Sequence, residues 1–213
     1  MNNVVITRSK NQILDISEMI TQLGMNPVEF PCIEIDSSSY KDSLYVELTN
    51  LNTYDWILFT SRNTIQVLNE IILENQMDID WKKIKVGAVG PETKKMLINI
   101  FDVEHVFTPK IFNVKSFTDE LPIMPEEKIL IPQSKIADSS IVNNLQEKDI
   151  LVKKIIAYDL KVGTGGENVP KMLKENTVDA VIFTSGSTVT NFVKEPILKI
   201  PKTLQFFVWV KQL

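Results

Sequence analysis

A ten-residue segment of this chain recurs in altered form. Asp55-Trp56-Ile57-Leu58-Phe59-Thr60-Ser61-Arg62-Asn63-Thr64 is matched 124 residues later by Asp179-Ala180-Val181-Ile182-Phe183-Thr184-Ser185-Gly186-Ser187-Thr188, with five of the ten positions identical. Ile6-Thr7-Arg8-Ser9-Lys10 matches Ile131-Pro132-Gln133-Ser134-Lys135 at an offset of 125. Two matches at nearly one offset point to a duplication, and the period is far longer than the roughly 20–50 residues of a solenoid. The simplest consequence is two similar α/β lobes with a cleft between them.

The pattern around the repeat supports that class. Val4–Thr7, Val28–Phe30, Trp56–Phe59, Lys85–Val89, Ile129–Ile131, Ile150–Tyr158 and Val181–Phe183 are short apolar or β-branched runs that read as strands. Helices are expected between them. One runs from Ser9, a capping residue, along Ile13, Ile16, Ile20 and Leu23 to a stop at Gly24. Another carries Ile65, Leu68, Ile72 and Leu73, and a third opens at Gly90-Pro91. A further helix is expected over Ile136–Leu145 and a last one after Gly186. The serine-rich stretch 34–43 and Val162–Gly166 read as linkers. Alternation of this kind implies parallel sheets flanked by helices.

Composition excludes several classes of function. A net charge of −4 argues against a nucleic-acid-binding protein, and the single Cys32 rules out an internal disulfide and Cys-rich metal sites. One histidine, His105, leaves no His-pair metal site. No run approaches 18 apolar residues and the N-terminus lacks a signal-peptide core, so a cytoplasmic protein is expected. Neither a phosphate loop nor a G-x-G-x-x-G fingerprint is present, so no nucleotide cofactor is expected.

In open parallel sheets, ligands bind beyond the carboxyl ends of the strands. Here those ends share one chemistry: Thr7-Arg8-Ser9, Thr60–Thr64, Gly90-Pro91-Glu92-Thr93, Gln133-Ser134 and Thr184–Thr188. Each sets hydroxyls or amides beside the N-terminus of a following helix, where free N–H groups and the helix dipole favour anions. Plain N-capping asks for the same residue types. Five such segments in a duplicated architecture favour a polyanionic ligand. Lysine and arginine together number 23, yet only Arg8 and Arg62 are arginine, and both directly follow strands. Arginine binds carboxylates bidentately, which lysine cannot do. The candidate binding residues are therefore Thr7, Arg8, Ser61, Arg62, Asn63, Gly90, Thr93, Gln133, Ser134, Ser185, Ser187 and Thr188. Tyr158, ending an apolar run where the chain leaves a strand, either packs a hinge or offers its hydroxyl to a cleft.

Four features taken in order resemble the uroporphyrinogen-III synthase family. They are Val4-Val5-Ile6-Thr7-Arg8, Asp55–Ser61, Val86-Gly87-Ala88-Val89-Gly90-Pro91-Glu92-Thr93, and the pair Ala157-Tyr158 with Phe183-Thr184-Ser185. The resemblance implies two α/β lobes of parallel sheet joined by a two-stranded linker. Lobe one would take residues 1–34 and 164–213, lobe two 45–151, and the linkers 35–44 and 152–163. It further implies closure of hydroxymethylbilane, a linear tetrapyrrole with four acetates and four propionates, to uroporphyrinogen III. Water is lost and the last pyrrole ring is inverted. Tyr158 matches the tyrosine that assists departure of the hydroxyl, and Thr7, Arg8, Ser61, Thr93, Gln133, Ser134, Ser185 and Thr188 fall in cleft-lining segments. A monomer acting on a small molecule without cofactor or metal is expected. The alternative is a two-lobed binding protein for a tetrapyrrole or another polycarboxylate that does not turn it over. A pair of response-regulator-like domains is a distant third, because it needs acidic residues where Thr7-Arg8-Ser9 stands.

The C-terminus departs from the resemblance. Phe206–Leu213 stands where a second Gly-Pro-Glu-Thr copy is due. Written as TTT TTT GTA TGG GTG AAA CAA CTN and started two bases later, the run reads Phe-Cys-Met-Gly-Glu-Thr-Thr. The expectation is a truncated or frameshifted end, with the β-prone run Phe206–Val210 pairing as a substitute strand.

Overall fold

The computed structural model describes residues 2–9, 13–163, 166, 168–184, 186–194 and 205–208. The chain divides into two compact units, one of Met1–Ile35 with Leu160–Gln212, the other of Asp36–Asp159.

The first unit is built on a sheet of β1 (Asn3–Ile6), β2 (Asn26–Glu29), β9 (Ala180–Phe183) and β10 (Gln205–Val208), in the order β10-β9-β1-β2. All three strand pairs are parallel. A parallel sheet is covered on both faces, so its strands are continuously apolar rather than alternating. Val4, Ile6, Ala180 and Ile182 meet Ile13, Ile16 and Ile20 of α1 (Ile13–Gln22) on one face. Val5, Val181 and Phe183 face Val169 and Leu173 of α7 (Val169–Lys174) and Phe192 of α8 (Gly186–Lys194) on the other. Phe192 lies edge-on to both Phe30 and Phe183, at ring separations of 5.5 and 5.2 Å. α1 stops as expected at Gly24, which has φ +75°. The Gly24 N–H bonds Thr21 and the Met25 N–H bonds Ile20, and Ile20 and Met25 share the apolar cluster, a Schellman ending.

The second unit contains β4 (Trp56–Phe59), β5 (Lys85–Ala88), β6 (Val106–Phe107), β7 (Lys128–Ser134) and most of β8 (Leu151–Lys161), all in parallel pairs. With β3 (Glu34–Asp36) at one edge, the order is β3-β8-β7-β4-β5-β6. Trp56, Leu58, Ile129 and Ile131 pack on one face with Phe117 of α5 (Val114–Glu120) and Ile141 and Leu145 of α6 (Ser140–Gln146). α3 (Arg62–Glu74) packs on β4 and β7, and α4 (Pro91–Phe101) on β5 and β6. Ile57, Phe59, Val86 and Ala88 are buried, as are Ile65, Leu68 and Leu97 of those helices. A Cβ on Gly87 would stand 2.7 Å from Leu58 and 3.0 Å from Phe117, so the glycine makes room for the aromatic ring.

The repeat maps one sheet onto the other. β9 corresponds to β4 and β1 to β7, so β10-β9-β1-β2 matches β5-β4-β7-β8 in strand order. The shared aspartate opening the repeat does the same work in both. Asp55 accepts the Lys128 N–H at 2.8 Å, and Asp179 accepts the Asn3 N–H at 2.7 Å. Each ties the start of its strand to the start of a neighbour.

Several elements differ from the sequence reading. Residues 41–44, expected as connecting chain, open a helix, α2 (Lys41–Thr49), which buries only Leu44 and Leu48. α6 starts at Ser140 rather than 136, because the Asp138 carboxylate accepts the Ser140 N–H at 2.6 Å and Ile136 is left exposed. Leu23 and Leu73, expected on apolar faces, are exposed. The strand expected over Ile150–Tyr158 is β8, which runs on to Lys161. Gln205–Val208 forms β10, pairing in register with β9, while Trp209 and Val210 lie outside the described residues. Among the described residues no helix is long and apolar enough to cross a membrane.

Candidate functional site

In the second unit the chain order of the strands reverses between β4 and β7, the position where open parallel sheets bind ligands. The residues leaving the strands there come from four elements. Ser61 follows β4, Gly90 follows β5, Gln133 and Ser134 end β7, and Tyr158 lies within β8.

Ser61 is the N-cap of α3. Its backbone is extended (φ −148°, ψ 143°) and its Oγ accepts the Asn63 N–H at 3.2 Å. The same Oγ lies 3.4 Å from the Tyr158 hydroxyl. Tyr158 is 4% exposed, its ring buried and its hydroxyl directed at the helix start. Ser134 is its register partner on β7. Gln133, 3% exposed, leaves its Oε1 without a hydrogen-bond partner, an unmet acceptor at the strand end. Gly90 caps α4 without a side chain, followed by Pro91 in the first turn. Open space lies where its Cβ would be, so the bare cap exposes backbone rather than avoiding a clash. Arg62 is the first residue of α3 and is partly exposed.

Thr64 was not among the candidate residues, yet it shares a helical position with two that were. Thr64 and Thr93 are each the third residue of a helix that begins just after a strand, and Thr188 holds that position in the first unit. All three are buried, at 0%, 7% and 3% exposure, and the Thr64 hydroxyl has no partner. The spacing Ser-x-x-Thr or Gly-x-x-Thr was visible at residues 61–64, 90–93 and 185–188 and identifies Thr64 as the equivalent of Thr93 and Thr188.

In the first unit the corresponding reversal lies between β1 and β9. Thr7 there is fully buried. Its hydroxyl donates to the Ile182 carbonyl at 2.8 Å and its own carbonyl accepts the Cys32 N–H at 3.1 Å. Its polar groups therefore join strands and loop. Arg8, next to it, is partly exposed and makes contacts of its own. Ser185 and the side chain of Ser187 lie outside what is described.

A concavity of about 740 Å³ sits at the strand-start end of the second unit, lined by Trp56, Trp81, Lys85, His105 and Phe107 among others. None of the candidate residues lines it. Two of its lysines are paired, Lys82 with Glu104 at 3.1 Å and Lys85 with Glu127.

A duplicated, parallel α/β protein with hydroxyl-lined strand ends at its reversal points is the class these features define. The chain belongs to the uroporphyrinogen-III synthase family: the family described as Uroporphyrinogen-III synthase HemD matches residues 15–195. Members of this family are lyases of porphyrin and heme biosynthesis that act on a tetrapyrrole. The chain is 32% identical over 196 residues to a putative uroporphyrinogen-III synthase of Methanocaldococcus jannaschii, covering 90% of this chain and 77% of that protein. It is 31% identical over 196 residues to the porphyrin biosynthesis protein HemD of Ruminiclostridium josui, covering 89% of this chain but 38% of that longer protein. The fold is also that of the uroporphyrinogen-III synthetase of Helicobacter pylori, with a TM-score of 0.63 at 17% identity over 98% of this chain and 84% of that one.

Proposed function

We propose that this chain performs its family's reaction, closing hydroxymethylbilane to uroporphyrinogen III, and that Tyr158 is the residue that assists loss of the hydroxyl. The observation that carries the reading is the Ser61–Tyr158 contact, a phenol oriented by a helix-capping hydroxyl at a strand end. The phenol O–H donates a hydrogen bond to the departing oxygen as the C–O bond breaks, leaving an azafulvene-like cation. The substituted carbon of the last ring attacks that cation, and the spiro intermediate fragments and recloses with the ring inverted. One oriented donor of this kind is worth roughly 10²–10³ in rate. The remaining catalysis is positioning, because the bilane cyclises unaided to the uninverted isomer.

In this reading the helix starts at Ser61 and Gly90 and the Arg62 guanidinium offer sites for substrate carboxylates on the second unit, and Arg8 does so on the first. Thr7, Asn63, Thr93, Gln133, Ser134, Ser185, Ser187 and Thr188 complete the proposed substrate-binding set. The same reading has the protein act as a cytoplasmic monomer without cofactor, nucleic acid or membrane. The net charge of −4 supports the exclusion of nucleic acid.

The test is incubation of wild type and Tyr158→Phe with enzymatically generated hydroxymethylbilane, followed by separation of type I and type III products. Type III from wild type, strongly reduced in Tyr158→Phe at unchanged stability, is expected. Wild-type turnover in the variant removes Tyr158 from the mechanism. Type I product alone from wild type, with tetrapyrrole binding retained, assigns the chain to binding without turnover.

A further inference from the structure

The register of β7 and β8 carries a feature that the family's reaction alone does not explain. Ile129 pairs with Val152 and Gln133 with Ile156, but Ser134 pairs with Tyr158, so β8 holds one residue more than β7 at this point. Val152 packs on the α5–α6 face together with Ile129 and Ile131. Unbroken alternation would bring Tyr158 to that same face. The additional residue turns it to the opposite face, where Ser61 stands, which is how bulges re-aim side chains next to functional sites.

The bulge is closed by one residue. The Lys135 N–H donates to the Tyr158 carbonyl at 2.8 Å. The Lys135 Nζ donates to Asp159 Oδ2 at 2.9 Å. Lys135 thus holds Tyr158 by its backbone and the next residue by its side chain. The Asp159 carboxylate, and to a lesser degree Tyr40, keeps the Lys135 ammonium above the usual lysine range. The ammonium is thus paired with Asp159.

We propose that Lys135 is a positioning residue for Tyr158, fixing the bulge that aims the phenol at Ser61. The proposal rests on the reading that the Tyr158 hydroxyl assists the reaction. Lys135→Met frees the Asp159 end of the clamp while keeping the backbone bond, and Lys135→Arg preserves the ion pair.

The experiment measures type III formation from enzymatically generated hydroxymethylbilane for Lys135→Met, Lys135→Arg, Tyr158→Phe and the Lys135→Met/Tyr158→Phe double variant, each checked for an unchanged melting temperature. The expected result is a kcat about 10–100-fold lower in Lys135→Met with KM unaltered, up to the roughly 10²-fold loss that a 1 Å misplacement can cause. Lys135→Arg should recover most of the rate. In the Tyr158→Phe background Lys135→Met should cost nothing more, because the two residues act as one. A raised KM with kcat intact makes Lys135 a substrate contact and overturns the proposal. So does an additive loss in the double variant, with the role of Tyr158 left standing. A fully active Tyr158→Phe overturns the underlying reading and the proposal together.

Discussion

Asp179 and Asn3 exchange two hydrogen bonds at the start of neighbouring strands, Asn3 N–H to Asp179 Oδ2 at 2.7 Å and Asp179 N–H to the Asn3 carbonyl at 3.0 Å. Asp55 and Lys128 make the same pair in the second unit, at 2.8 and 2.9 Å. Each carboxylate fixes which strand lies beside its own. Asp179→Ala and Asp55→Ala should each cost about 1 kcal/mol, the usual worth of a hydrogen bond at a solvated site. Urea midpoints measure it, and Asp→Asn should retain part of the loss as an acceptor remains.

Ser61 carries two duties that substitution can separate. Ser61→Ala removes the cap and the contact with Tyr158, so stability should fall by about 1 kcal/mol together with activity. Ser61→Asn keeps a good cap but replaces the hydroxyl, so stability should hold while type III formation falls. Equal activity in Ser61→Asn and wild type would leave Ser61 as a cap alone.

Gly87→Ala pushes a methyl group against Leu58 and Phe117. Overpacking of a filled core costs roughly 1–3 kcal/mol. The expected readout is a lower melting temperature with the secondary structure intact, partly restored by Phe117→Leu.

Glu127 is 13% exposed and accepts from the Trp56 indole at 3.0 Å and the Met124 N–H at 2.9 Å, besides its pair with Lys85. Burial pushes its carboxyl up, but Lys85 and these donors outweigh it and hold it below the usual glutamate range. A carboxyl depressed in the folded state stabilises above its unfolded value and ceases to do so as pH falls through the folded one. Glu127→Gln should therefore be less stable than wild type by about 1–3 kcal/mol at neutral pH, the worth of hydrogen bonds to a charged group. The gap should close as the solution is acidified below the glutamate range. Thermal melts at several pH values give the comparison.

Arg62, at the start of α3, is the site's candidate for a carboxylate of the substrate. Exposed charge pairs are screened over about 8–10 Å near physiological ionic strength. Binding of a uroporphyrin-type octacarboxylate should weaken as salt rises, and Arg62→Ala should flatten that dependence. A wild-type affinity indifferent to salt would point to apolar packing of the pyrroles.

The parallel strands were legible because both faces of each sheet are covered, so Val4–Ile6, Trp56–Phe59 and Val181–Phe183 are unbroken apolar runs. Helices opening with Ser61 or Gly90-Pro91 were legible from their caps. α2 was not, because only Leu44 and Leu48 are buried while Tyr45 and Val46 face solvent, which leaves no stripe to read. α5 was missed for a similar reason, being seven residues that bury Phe117 and Thr118. In the candidate site, residue types at strand ends were visible, but the Ser61–Tyr158 contact depends on the extra residue in β8. Nothing in a single sequence marks a bulge of that kind.

The division of the chain also sets a schedule for synthesis. The second unit is one continuous stretch, Asp36–Asp159, whereas the first joins segments from either side of it. β1 therefore leaves the ribosome long before β9, its parallel neighbour. At about 5–20 residues per second, the edge of β1 waits roughly 10–35 s for that partner. Until then Val4, Val5 and Ile6 have only β2 and α1 for cover, and the second unit is complete shortly before β9 is made. The first unit's sheet therefore cannot be completed until the second unit has been made in full.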